Sequence, residues 1–408
     1  MDIKRSIKNA INTLNIEKLR KHQIKPINRI IDNKDTMVIA PTSAGKSAIF
    51  QVPALLFEGL TLVIEPTLSL MYDQVAKLKS LGIAAEYLDS KLSKKESHHI
   101  LQELKNGELK LLYVTPERLL NDAFQHAITY TKVSMLVVDE CHCVTAWGNT
   151  FRDAYLEIGR FINTLPSRPV VVALTATANE AEREEIAEQL TMNDHEVFVS
   201  SLYRKNLTFL NRCFTSDKEK LNELKRILKK RDYRSCIIYC NKKSMTDAVY
   251  DEVKQWYPGQ VAKCHSNLSG QDRKSNESAF LNGERNIMVA TSAFGMGVDK
   301  DDVDLVIHFN LPLSLADYYQ QAGRAGRSGQ AAHCILLYCE DDYFVDKYLL
   351  SGIEDTKAKK AAMKALDSMK EYANSQDCLY EQLLSALGEI EEKICGKCSN
   401  CQRKKVSK

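Results

Sequence analysis

Pro41-Thr42-Ser43-Ala44-Gly45-Lys46-Ser47 follows directly on the apolar run Thr36-Met37-Val38-Ile39-Ala40 and precedes a helical pattern. A strand entering such a loop and leaving as a helix turns backbone N–H groups toward phosphate oxygens. Thr42, Ser43, Ala44 and Gly45 would line those oxygens, the Lys46 ammonium would neutralise the β and γ phosphates, and the Ser47 hydroxyl would ligate magnesium. Ala40 stands where the usual pattern has its first glycine, so an ordinary strand-to-helix turn is the competing reading. A second apolar run, Met135-Leu136-Val137-Val138, ends in Asp139-Glu140. Asp139 would help hold magnesium, and Glu140 would position or deprotonate the attacking water. Carboxylates at a strand end are usually just solvated, but a phosphate loop earlier in the same segment reverses that balance.

The third group is sulfur. Cys378 is followed after sixteen residues by Cys395, then by Cys398 and Cys401 at two-residue gaps, with Gly396 allowing a tight turn between ligands. Four thiolates at this spacing suit a closed tetrahedral zinc site. An iron–sulfur cluster competes, because Cys-x2-Cys-x2-Cys opens a ferredoxin-type run, although the fourth Cys and Pro of that run are absent here. The eight other cysteines lie scattered through apolar stretches and are expected to be buried thiols rather than disulfides.

The elements that must position these groups alternate. β-rich runs at 36–40, 60–65, 110–115, 135–139 and 170–174 are separated by polar, helix-patterned stretches, and a second series runs through 235–240, 261–265, 286–290, 305–309 and 333–338. Strands alternating with helices predict parallel sheets covered on both faces. The expected fold is therefore α/β, with two lobes of parallel sheet followed by a helical, cysteine-bearing module. The expected segments are 1–203, 204–342 and 343–408. Composition fits a soluble globular chain: 44% hydrophobic, 27% charged, with a net charge of +3 that neither requires nor excludes a nucleic-acid partner. No apolar run approaches a membrane span and no secretory leader follows Met1, so an intracellular setting is expected, cytoplasmic or, in a eukaryote, nuclear.

Beyond the loop and the carboxylates, the chain carries Asp139-Glu140-Cys141-His142, Trp147-Gly148, Phe151-Arg152 with Tyr155, and Thr175-Ala176-Thr177. Further on come Ala293-Phe294-Gly295-Met296-Gly297-Val298 and Gln321-Ala322-Gly323-Arg324-Ala325-Gly326-Arg327. In this order, from about Leu19 to Cys401, the set resembles the RecQ branch of the superfamily 2 helicases. The resemblance implies two RecA-like lobes with a zinc module. It also implies ATP hydrolysis with Mg2+ on single-stranded or tailed duplex DNA, 3′ to 5′ movement, and a role in DNA repair or recombination.

Residue by residue, the resemblance places Arg20 and Gln23 at adenine, with Ile16 and Leu19 where the family has aromatics. It places Arg324 and Arg327 as the arginine pair that stabilises charge on the transferring phosphoryl group, Arg327 foremost. His142, Trp147, Phe151, Arg152 and Tyr155 fall in its aromatic-rich loop, which contacts DNA and signals to the ATP site; Asn149 and Asp153 replace its usual His and Pro. Packing between elements is the alternative for that loop. Sequence-independent backbone contacts are expected from 66–70, 115–118, Ser266 and Thr291-Ser292. Zinc at the four cysteines also matches the family's module. Seven residues follow Cys401, four of them basic. The sequence as given therefore lacks room for a winged-helix domain, and unwinding is expected to be weak unless a protein partner supplies duplex grip. Two other readings stay open: a motor acting on RNA or remodelling protein, and a module that binds nucleic acid and uses nucleotide only as a switch.

Overall fold

The computed structural model describes residues 3–41, 44–66, 68–144, 153–230, 233–292, 294, 300–389 and 394–406. Contacts divide the chain into two compact units, Met1–Ser201 and Leu202–Lys408. None of the described helices is long and apolar enough to cross a membrane.

The first unit opens with α1 (Ile3–Thr13) and α2 (Lys21–Ile31), then alternates through β1 (Thr36–Ile39), α3 (Lys46–Leu56), β2 (Leu60–Ile64), α4 (Leu68–Ser80), β3 (Ala85–Leu88) and α5 (Lys94–Lys105). It continues with β4 (Leu111–Val114), α6 (Asp122–Ile128), β5 (Val133–Val138), α7 (Asp153–Thr164), β6 (Val170–Thr175), α8 (Glu180–Gln189) and β7 (Glu196–Val199). The strands form one seven-stranded sheet in the order β3-β4-β2-β5-β6-β1-β7, with every recorded pairing parallel. Two apolar layers cover it, one built on Met37, Leu62 and Leu136 and the other on Val38, Val63 and Val137. Successive residues of one strand thus feed opposite faces, which is why these strands read as unbroken apolar runs.

The second unit holds β8 (Leu207–Phe214), α9 (Asp217–Lys229), β9 (Ser235–Tyr239), α10 (Lys243–Trp256), β10 (Val261–Cys264), α11 (Gly270–Leu281), β11 (Ile287–Ala290), β12 (Val303–His308), α12 (Leu315–Ala322) and β13 (Ala332–Cys339). Four helices follow: α13 (Glu340–Ser351), α14 (Thr356–Asn374), α15 (Leu379–Ala386) and α16 (Ser399–Val406). Its sheet runs β10-β11-β9-β12-β13-β8. The closing helices share a core with that sheet: Leu366, Met369, Tyr372, Tyr380, Leu383 and Leu384 pack with Phe209, Tyr318, Cys334 and Leu336.

Three strands were not anticipated: β3, β7 and β8. All lie at sheet edges. An edge strand has one neighbour and a half-exposed face, so it lacks the continuous apolar run that marks a central strand. The expectation of eight buried thiols needs one correction. Cys141, Cys143, Cys236, Cys240, Cys264, Cys334 and Cys339 are buried, but Cys213, near the end of edge strand β8, is exposed.

Candidate functional site

Three neighbouring strands of the first sheet, β1, β6 and β5, aim their carboxyl ends at one region, and each continues into a chemically loaded loop. Ligands of open parallel sheets bind outside these ends. After β1 comes the phosphate-type loop, where Ala40 N–H still donates to the Thr175 carbonyl and extends the sheet by one residue. Gly45 caps α3 in the left-handed region at φ 76°, a conformation that costs a residue bearing Cβ. A Cβ there would also come within 2.7 Å of Gln23 Nε2. Lys46 opens the helix, and its ammonium nitrogen is buried without a hydrogen-bond partner. A buried ammonium left without a hydrogen bond is costly, so this side chain fits an anion bound in the loop. Thr42 and Ser43 lie outside the described residues; Ala44 is buried and Ser47 half-buried.

β5 delivers the carboxylates. Asp139 N–H donates to the Ile64 carbonyl, continuing the pairing of β5 with β2. Its carboxylate accepts from the Glu140 N–H at 2.8 Å. Burial pushes the Asp139 carboxyl up to about 6, against the opposing pull of the Lys46 charge and with a further push from Glu140. A carboxylate crowded this way gains from a divalent cation, so the pair fits magnesium with the Ser47 hydroxyl. Glu140 has φ 47°, unusual for a residue bearing Cβ and costing on the order of 1 to 3 kcal/mol. Such strain is found where a side chain's direction matters more than its comfort.

His142 connects these loops. Its Nδ1 lies 2.9 Å from Thr175 Oγ1 and 3.3 Å from a Glu140 oxygen. Burial alone would lower this imidazole, but the Cys143 and Glu140 groups beside it raise it well above its ordinary value. The Thr175 hydroxyl donates in turn to the Thr177 carbonyl. A side-chain bridge therefore joins the end of β5 to the end of β6.

Tyr155 calls for a correction. Expected among aromatics that face a nucleic acid, it is fully buried, and its hydroxyl donates to the Asp139 carbonyl at 3.2 Å. It offers no open ring face; it braces the carboxylate loop from α7. Trp147, Phe151 and Arg152 lie outside the described residues.

From the other side, α2 holds the phosphate-type loop. Gln23 is buried; its Oε1 accepts from the Arg20 N–H at 2.7 Å, while its Nε2 donates to the Gly45 carbonyl at 2.9 Å. His22, which the sequence reading passed over, lies 3.0 Å from the Ala44 carbonyl through Nε2. Nothing in the pattern Arg-Lys-His-Gln singles out that histidine. Arg20 is exposed at the start of α2, and Ile16 and Leu19 pack partly buried against the core.

In the second unit, Arg324 and Arg327 fall in the loop after α12, with Arg324 buried. Tyr239, whose phenol burial raises, is drawn back down by both guanidinium groups. Pro66, Thr115, Ser266 and Thr291 each lie one or two residues beyond a strand's carboxyl end, after β2, β4, β10 and β11.

The four terminal cysteines do converge. Cys378, Cys395, Cys398 and Cys401 bring their sulfurs within 4.8 Å of one another. Backbone N–H groups point at the sulfurs in sequence, Cys395 to Cys378, Cys398 to Cys395 and Cys401 to Cys398, at 3.3, 3.3 and 3.4 Å. Gly396 takes φ 68° in the turn between ligands. Hydrogen bonds from Cys378 and Cys395 hold the Cys398 thiol well below its usual range. Four clustered thiols with N–H···S support fit zinc.

Residues 20–186 match the DEAD/DEAH box helicase family, 219–329 the helicase conserved C-terminal domain, and 330–402 the RecQ zinc-binding family. A Bacillus subtilis protein named ATP-dependent DNA helicase RecQ is 37% identical over 386 residues, 94% of this chain and 65% of that protein. The chain thus spans less than two thirds of that relative's length. A Synechocystis protein of the same name is 35% identical over 78% of this chain and 68% of its own. Among solved structures, Mss116p bound to ssRNA and AMP-PNP superposes with a TM-score of 0.70 at 18% identity, over 94% of this chain and 87% of that one. That likeness bears on the fold, which is that of two RecA-like lobes. With its zinc-binding segment and relatives that match along most of its length, the chain belongs to the RecQ helicase family.

Proposed function

We propose that this chain is the ATP-driven motor of a RecQ-type DNA helicase. It hydrolyses ATP with Mg2+ in response to single-stranded DNA, moves 3′ to 5′ along it, and opens tailed duplexes in repair or recombination. The observation that carries the reading is the buried Lys46 ammonium, without a hydrogen-bond partner, beside a crowded Asp139 and a strained Glu140. Lys46 neutralises phosphate charge. Ser47 and Asp139 hold magnesium, and Glu140 orients the attacking water. Thr42, Ser43, Ala44 and Gly45 cradle the phosphates, while Arg20 and Gln23 read adenine. Arg324 and Arg327 supply cationic charge to the phosphoryl group as it transfers.

The His142 bridge from Glu140 to Thr175 is the path by which occupancy of the aromatic loop, through Trp147, Phe151 and Arg152, reaches the carboxylates. The segments 1–203, 204–342 and 343–408 act as ATP-binding lobe, second helicase lobe and zinc module. The working compartment is the cytoplasm or, in a eukaryote, the nucleus, and a protein partner adds grip on duplex. The test is a pair of variants. Lys46→Ala and Glu140→Gln should each abolish ATP turnover while retaining single-strand binding, because phosphate chemistry and backbone contact use different surfaces; turnover like that of the unaltered protein in either variant would overturn the assignment.

A further inference from the structure

The loop that carries Arg324 and Arg327 has an unusual support. α12 ends at Ala322, and the carbonyls just beyond a helix end lack intrahelical partners. One side chain collects three of them. Arg204 Nη1 donates to the Gly323 carbonyl at 2.8 Å, and its Nη2 donates to the Ala325 and Gly326 carbonyls at 2.9 and 2.6 Å. Those carbonyls bracket Arg324 and immediately precede Arg327. Asn206 adds a second clasp, donating from Nδ2 to the Gly326 and Gln330 carbonyls, both at 2.8 Å. Gly326 takes φ 63°, and a Cβ there would lie 2.3 Å from Asn206 Nδ2. The backbone around both arginines is therefore held by two side chains from residues 204–206.

That short segment is itself tied to the metal module. The Tyr380 hydroxyl accepts from the Arg204 N–H at 2.5 Å and donates to the Arg204 carbonyl at 3.2 Å. Tyr380 sits two residues beyond Cys378, with its ring packed edge-on to Tyr203 and Phe209 at 4.7 and 5.0 Å. Lys397, between Cys395 and Cys398 in the zinc knuckle, donates to the Lys205 carbonyl. Through Tyr380 and Lys397, which lie in the chain beside cluster cysteines, hydrogen bonds reach 204–205 and from there the arginine loop.

We infer that Arg204 is a positioning residue for the Arg324–Arg327 loop, and that Tyr380 and Lys397 fix Arg204 from the zinc cluster, so that an intact metal module sets the arginine pair. The functional half of this rests on the proposed role of Arg327; the positional half does not. A planar guanidinium with five donors can hold three carbonyls at once, as no other side chain could here. A loop displaced by about 1 Å costs on the order of 100-fold in rate when it carries a group that must meet a transition state.

The experiment uses the full, zinc-loaded chain and the variants Arg204→Ala, Tyr380→Phe, Arg327→Ala and the Arg204→Ala/Arg327→Ala pair. Arg204→Ala should lower kcat for ATP about 10- to 100-fold with little change in KM. Amide exchange over 323–327 should quicken while the sheet stays protected and zinc remains at about one per chain. The double variant should lose less than the product of the two single losses, because Arg204 and Arg327 act through the same loop. Tyr380→Phe keeps the ring and removes only the hydroxyl's bonds to Arg204 and to the Leu202 carbonyl, so it should quicken the same amides to a lesser degree even if Arg204→Ala fails to fold. Unchanged exchange over 323–327 in the foldable variants would overturn the inference, as would losses of kcat that multiply fully in the double variant. If Arg327→Ala alone retains kcat, the reading of Arg327 falls, and the exchange data still decide whether Arg204 holds the loop.

Discussion

Asp346 offers a sharp test of the electrostatics of the second unit. It lies on the inner face of α13, 2% exposed, and its carboxylate accepts from Asn241 Nδ2 at 2.6 Å. Close by, buried Lys220 is paired with Asp342 at 2.9 Å and with Asp217 at 2.8 Å. Lys220 is thus already neutralised, and Asp346 is an additional buried acid. Burial, with a further push from Asp342, raises its carboxyl to about 7 from an ordinary value of 3.8. A raised carboxyl means that the folded chain holds a proton which the unfolded chain has released. Stability therefore falls as pH rises from about 4 to about 7 and levels off above that. For these two values the penalty grows by about 2 to 3 kcal/mol between pH 5 and pH 8.

Asp346→Asn removes the ionisation and keeps an oxygen for Asn241. The variant should be more stable than the unaltered protein at pH 8, with the gap shrinking by about 2 to 3 kcal/mol at pH 5. The chain has two tryptophans, Trp147 and Trp256. In a Trp147→Phe background the Trp256 fluorescence follows the second unit through urea denaturation at each pH. A stability difference that stays flat with pH, or widens toward acid, would refute the assignment of Asp346 as a buried, protonated acid.

Two further outcomes concern the cofactor sites. Gln23→Ala removes the side-chain bonds to the Gly45 carbonyl and the Arg20 N–H, so KM for ATP should rise by the equivalent of about 1 to 3 kcal/mol while kcat changes less; an unchanged KM in steady-state kinetics would contradict the clamp. The purified chain should carry about one zinc by elemental analysis, and Cys395→Ser should lose it and become protease-sensitive, since a closed site contributes folding energy directly. Iron with sulfide would contradict this.

The parts of the fold legible in the sequence were those with a one-dimensional signature. Central strands such as β1 and β5 are covered on both faces and so read as apolar runs, and the loops that follow them stand out because polar residues interrupt those runs abruptly. Edge strands β3, β7 and β8 gave no such signal. Tyr155 was misread because an aromatic near arginine in sequence says nothing about which way its ring turns; here it turns into the core to brace Asp139. Helical periodicity from 341 onward marked helices, yet could not say that α14 and α15 pack on the second sheet's own core. Arg204 escaped notice altogether, because a single arginine has no pattern, and its importance lies in three carbonyls some 120 positions away in the chain.

The most direct test of the whole account is steady-state ATP hydrolysis by the purified chain, titrated with single-stranded DNA and with RNA of the same length and base order, Glu140→Gln serving as the blank. Strong stimulation by DNA, weak stimulation by RNA and none in the variant are expected. Hydrolysis indifferent to DNA, or stimulated more by RNA than by DNA, would contradict it.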